Sequence, residues 1–143
     1  MSAYVLDASV AAKWVLPPHG ESLVAEAFSI RQQFTLGTLE LIVPDLFWAE
    51  MVNILWKATR AGRMAPDAAA DAIKYLSAFR PAVVPSQHLW EHAFPIATGF
   101  RRSAYDCIYV ALAARSGRAL LTADERLANG LAAHFPIRWL GAI

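Results

Sequence analysis

A chain of 143 residues, 57% of them hydrophobic and 17% charged, holds enough apolar material for one domain with a single sizeable core. Its net charge of +1 argues against a general phosphate-gripping surface, so any nucleic-acid contact must use a local basic patch. One cysteine excludes an intrachain disulfide and a cysteine-clustered zinc site, and the apolar runs are too short to span a membrane.

Taken in order, Ala3 to Asp7 predicts a first strand, followed by a helical turn or two that ends at Pro17-Pro18. No basic segment precedes that strand and Asp7 interrupts it, so no secretory signal is expected and the chain reads as cytoplasmic. Gly20 to Phe34 predicts a helix, Thr35 to Thr38 a loop, and Leu41 to Val43 a second strand closed by Pro44. Asp45 is placed to cap a helix that runs to Arg60 and stops at Gly62. Pro66 opens another helix to about Phe79, and Val83-Val84 forms a short strand between prolines. Gln87 to Gly99 reads as a helix interrupted by Pro95, and Ser103 starts a further helix that Gly117 ends. Ala119 to Thr122 is a strand, Asp124 to Ala133 a helix and Ile137 to Leu140 a final strand. Strands alternating with helices point to an α/β domain over residues 1–143 around a parallel sheet.

Four carboxylates stand where surface charge is not expected. Asp7 ends the first strand, Glu50 lies inside the apolar helix Leu46 to Leu55, Asp106 opens a strongly apolar helix, and Asp124 follows a strand. Ligands of open α/β sheets bind outside the carboxyl ends of the strands. Right-handed crossovers place Asp7 and Asp124 on that same edge. Glu50 and Asp106 join them if their helices turn those faces to the crevice. Clustered carboxylates raise one another's pKa unless a cation intervenes. No lysine adjoins any of the four in sequence, and an all-oxygen site suits Mg²⁺ or Mn²⁺, the ions of phosphodiester hydrolysis.

Each acid also has a plain structural reading. Asp7 can cap the following helix, Ser103 with Asp106 resembles a capping box, and Asp124 is well placed as an N-cap, with Thr122 and Glu125 as a second arrangement. Glu50, flanked by Phe47, Trp48, Met51 and Val52, is the hardest to explain that way, because an unpaired buried acid destabilises.

With these residues assembled, the chain resembles a PIN domain of the VapC toxin family. The matching pieces are Tyr4 to Val10, the helix with Glu50 and Asn53, Tyr105 to Ala113, and Leu120 to Leu127, in the family's order and over nearly the whole chain. The resemblance implies a three-layer α/β/α fold with a twisted, five-stranded parallel sheet. It also implies a Mg²⁺-dependent endoribonuclease site of Asp7, Glu50, Asp106 and Asp124, supported by Ser9, Asn53 and Thr122. Similar toxins form homodimers and are neutralised by an antitoxin that lies in an apolar groove, which fits the apolar surplus. The implied chemistry is in-line attack by a metal-activated water, leaving a 5′-phosphate and a 3′-hydroxyl.

Rival readings are weaker. His88 and His92 share a helix face but lack a third ligand, and Ser9 stands where an aspartyl phosphotransferase needs its second acid. No P-loop is present. A non-catalytic binding module of the same fold should have lost some of the four acids, and RNA-processing PIN nucleases usually carry further domains. Arg101 and Arg102, just before the Asp106 helix, are the candidate RNA contacts, whereas Arg115 and Arg118 read as solvated charge.

Overall fold

The computed structural model describes residues 1–143, and five short apolar runs in it pair as strands. They are β1 (Ser2–Leu6), β2 (Leu39–Pro44), β3 (Ala82–Val84), β4 (Ala119–Thr122) and β5 (Ile137–Trp139). Between them lie α1 (Ala8–Ala12), α2 (Val24–Thr35), α3 (Leu46–Arg60), α4 (Pro66–Ser77), α5 (Trp90–Phe100), α6 (Ala104–Ser116) and α7 (Glu125–Leu131). The sheet order is β3-β2-β1-β4-β5, with every neighbouring pair parallel.

A parallel sheet needs crossovers, and the crossovers cover both faces. Val5 and Leu120 turn to one side, where α5, α6 and α7 pack through Ala93, Val110, Leu112 and Leu131. Leu6, Leu41, Val43 and Leu121 turn to the other, against α1 to α4 through Val10, Ile30, Phe47 and Leu76. Strand alternation thus separates two cores, giving the α/β/α layering expected. No helix is long and apolar enough to cross a membrane.

Within the α1–α4 core, Phe79 is the hub of an aromatic cluster. Its ring meets Trp14 and Phe34 edge-on at 5.2 Å and Phe47 at 6.0 Å. Trp14 also donates its indole N–H to the Ala27 carbonyl at 2.8 Å, which ties the end of α1 to α2.

Three local expectations are corrected. The helix expected from Gly20 begins only at Val24, because Leu23 holds a left-handed φ of 58° and Glu21 is drawn into ion pairs with Lys13 and Arg63. Pro95 does not interrupt α5: it sits inside the helix, and Glu91, whose carbonyl loses its amide partner, is exposed to water. Asp45 caps nothing; its carboxylate instead accepts the Ser86 N–H at 3.0 Å, holding the 3₁₀ turn Ser86–His88.

Replacing Phe79 with Ala removes the hub of the aromatic cluster. Urea unfolding should show a loss of about 3–5 kcal/mol. A loss below about 1 kcal/mol would mean that the cluster repacks around the hole.

Candidate active site

In this strand order the connections leaving β1 and β4 diverge to opposite halves of the sheet, which opens a crevice at their carboxyl ends. Asp7 follows β1 and Asp124 follows β4 by two residues, so both stand at that crevice. The pairing of Leu6 with Leu121 sets the register, and the Asp7 N–H bonds the Leu121 carbonyl at 3.0 Å.

Asp7 is only 8% exposed and its carboxylate caps no helix. Instead the hydroxyls of Ser9 and Thr122 both donate to its Oδ2, each at 2.7 Å. The same hydroxyls accept in turn: Ser9 Oγ takes the Ala123 N–H and Thr122 Oγ1 the Asp124 N–H, each at 3.0 Å. One carboxylate oxygen therefore fixes the loop after β4, while Oδ1 of Asp7 takes neither hydroxyl. Burial pushes the Asp7 carboxyl above its ordinary 3.8, the two hydroxyls pull it down, and the charge of Asp124 adds to the rise.

Asp124 fulfils its structural reading as well: its Oδ1 caps α7 by accepting the Leu127 N–H at 3.2 Å. The expected second arrangement of Thr122 with Glu125 does not form, since the Thr122 hydroxyl is committed to Asp7 and to the Asp124 amide. At α6, Ser103 caps by accepting the Asp106 N–H at 3.1 Å. Burial raises the Asp106 carboxyl, the charges of Asp7 and Asp124 raise it further, and Arg102 and Ser103 pull it back. On α3, burial raises Glu50; Tyr109 opposes the shift, and Asp7 and Asp106 add to it. Each of the four acids thus lies within electrostatic reach of at least one other.

Asn53 is exposed and bonds none of the four acids. Arg101, exposed, closes α5 in a left-handed conformation with φ 56°. Arg102 is half-buried, donates to the Arg126 carbonyl at 3.1 Å and lies over Gly130 of α7. His88 and His92 are exposed, and His92 faces Arg115. Cys107 is pushed up to about 11 by burial and by the Asp106 charge, against a smaller opposing pull from Arg102, so near neutral pH it is a thiol and not a nucleophile.

Two neighbours of the acids escaped the sequence reading. Tyr109, three residues after Asp106 and on the same helical face, borders Glu50; that spacing was the available signal. Gly130, which makes room for the Arg102 guanidinium, carried none.

The donor set is carboxylate and hydroxyl oxygen, the chemistry of a hard divalent cation, and a buried oxygen of Glu50 has no hydrogen-bond partner. As the side chains stand, no three Asp, Glu, His or Cys groups converge on one point as ligands, so joint ligation requires side-chain movement. The residues fit such an ion in kind and place.

The PIN-domain family model matches residues 4–130. The chain belongs to the PIN-domain family. Ribonuclease VapC3 of Pyrobaculum aerophilum is 34% identical over 127 residues, 87% of this chain and 92% of that one. This PIN protein is therefore a VapC-type ribonuclease, of the toxin branch of the family and a nuclease hydrolase by class. PIN nucleases are in general metal-dependent. The solved PAE2754 of Pyrobaculum aerophilum shares the fold with TM-score 0.67 and 24% identity, covering 99% of this chain and 91% of that one. VapC20 of Mycobacterium tuberculosis, a sarcin–ricin-loop-cleaving toxin, does so with TM-score 0.64 and 17% identity, covering 94% and 96%.

A carboxyl whose pKa is raised on folding holds its proton more tightly folded than unfolded. Its contribution to stability is whole below its ordinary value and is lost as pH climbs through the raised one. Asp7, Glu50 and Asp106 all shift this way. Glu21, whose burial is outweighed by Lys13 and Arg63, shifts downward, so its contribution is whole above its ordinary 4.5 and is lost only as pH falls below it. In EDTA the melting temperature should therefore fall by about 3 °C or more between about pH 5 and pH 7.5, and Asp106→Asn should flatten the slope. A flat or rising wild-type profile would refute the upward shift of these carboxyls.

Proposed function

We propose that residues 1–143, acting as a single PIN domain, are a Mg²⁺-dependent endoribonuclease and the toxin of a toxin–antitoxin pair in the cytoplasm. The observation that carries this reading is the crevice between β1 and β4, where Asp7, Glu50, Asp106 and Asp124 act on one another with Arg102 as the one cation offsetting Asp106. Asp7, Asp106 and Asp124 would hold the ion, with Glu50 as a further ligand or as the group that orients water; Mn²⁺ suits the same donors. When bound, the ion supplies the positive charge that lets these acids stay ionised together and that makes a water acidic enough to attack a phosphodiester.

The chain's own residues do the positioning. Ser9 and Thr122 hold Asp7 by Oδ2, which leaves Oδ1 as the oxygen to offer. Asp124 keeps one oxygen on the start of α7 and offers the other. Arg102, tethered beside Asp106, sets a guanidinium where an RNA phosphate would enter, and Arg101 next to it extends the positive rim. Asn53 is the support residue with the weakest case, being exposed and without a bond to the acids.

As a VapC-type protein, the chain is expected to pair with a VapB-type antitoxin. A groove of about 200 Å³ between α3 and α4, lined by Trp48, Met51, Val52, Leu55, Ile73 and Leu76, is the apolar seat for the antitoxin's C-terminal segment. Exposed Trp90, Phe94 and Tyr105 supply apolar surface for a homodimer.

Purified protein incubated with total RNA and Mg²⁺ should give discrete fragments bearing 5′-phosphates and 3′-hydroxyls. Cleavage should vanish with EDTA and in Asp106→Asn. Cutting that survives both controls, or 2′,3′-cyclic phosphate ends, would end the four-carboxylate reading. Arg102→Ala should weaken RNA binding about tenfold and lower the salt dependence by about one phosphate contact, while the protein still binds Mn²⁺. RNA affinity equal to wild type would remove Arg102 from the interface.

A further inference from the structure

Tyr109 heads the large fully buried side chains of the molecule, with 1% of its surface exposed. Its hydroxyl has no hydrogen-bond partner, and neither does the buried Oε1 of Glu50. The two groups face one another as donor and acceptor, with the Ala8 backbone beside the phenol, but their geometry falls short of a well-formed hydrogen bond. Buried polar atoms are rarely left unpaired, and a phenylalanine would fill the same space with nothing to satisfy. Packing therefore explains the ring and not the oxygen. Oε2 of Glu50 also makes no hydrogen bond and is not among the buried unpaired atoms, so it reaches solvent.

Three features point the phenol at Glu50. Tyr109 lies one helical turn beyond Asp106 on α6, so its position is fixed by the helix that carries another of the acids. Ala8, whose backbone borders the phenol, directly follows Asp7. A phenol hydroxyl facing a carboxylate oxygen, which can only accept, acts as the donor.

We infer that Tyr109 is the positioning residue for Glu50: its O–H donates to Oε1 and leaves Oε2 as the single oxygen that Glu50 offers to the crevice. A small side-chain rotation completes the bond and satisfies both orphan atoms at once. Tyr109 touches neither RNA nor ion; it acts through Glu50. The inference rests on the four-carboxylate reading of the site, and its test separates the two.

The experiment is calorimetric titration of Mn²⁺ into the full chain and into Tyr109→Phe, Glu50→Gln and the double variant, with melting temperatures measured in EDTA. Removing a hydrogen-bonding group behind a metal ligand typically weakens metal binding about 10- to 100-fold. Tyr109→Phe is therefore expected to weaken Mn²⁺ binding by about tenfold or more while melting at or above the wild-type temperature. In the Glu50→Gln background the same change should have no further effect, because the partner is already altered. Wild-type Mn²⁺ affinity in Tyr109→Phe, beside a weakened Glu50→Gln, would overturn the role of Tyr109 alone. Equal losses in both backgrounds would also overturn it, since the tyrosine would then act through the fold. Wild-type affinity in Glu50→Gln would instead bring down the four-carboxylate reading.

Discussion

The arrangement depends on one carboxylate oxygen. Oδ2 of Asp7 accepts two hydroxyls, and each hydroxyl takes a backbone N–H from the loop after β4. Ser9 and Thr122 are thus bridges and not simple donors. They join the end of the central strand to the loop that carries Asp124, across the point where the sheet changes direction. Charge-assisted hydrogen bonds of this kind are stronger than neutral ones, and burial shields them from competing water. A hydrophobic clamp in the same place would hold the loop equally close but would not aim a carboxylate.

The same burial works against the acids. It is the leading cause of the upward shift in Asp7, Glu50 and Asp106, and the neighbouring charges add to it. Elsewhere the chain pairs its buried charge, as Lys13 and Glu21 do at 3.2 Å. At the crevice the pairing is incomplete. A site that binds a cation must be short of positive charge without it, and stability and activity make opposite demands on those side chains.

Much of this was legible in the sequence because it follows from periodicity and punctuation. The five strands are apolar runs bounded by turn residues, and the helix over Ala104–Ser116 starts at Ser103 and stops at Gly117, a glycine with φ 69°. Asp7 and Asp124 could be placed on one edge because parallel strands end together. What stayed hidden depends on contacts between residues distant in sequence. Asp45 looked like a cap by local spacing, but Ser86, forty-one positions on, competes for its carboxylate. The first turn of α2 was lost to Lys13 and Arg63, which claim Glu21 from opposite directions along the chain. Beyond its spacing from Asp106, nothing in the sequence set Tyr109 apart from the apolar residues around it; only its depth beside Glu50 singles out the oxygen.

Gly130 extends the influence of the site onto α7. A β-carbon there would lie 1.9 Å from the Arg102 guanidinium, so even alanine would force the arginine to move. In most helices, exchanging glycine for alanine stabilises the chain. Here the gain in helix propensity would come with the eviction of a positive charge from beside Asp106. A position with no side chain of its own therefore decides where the cation beside Asp106 can rest.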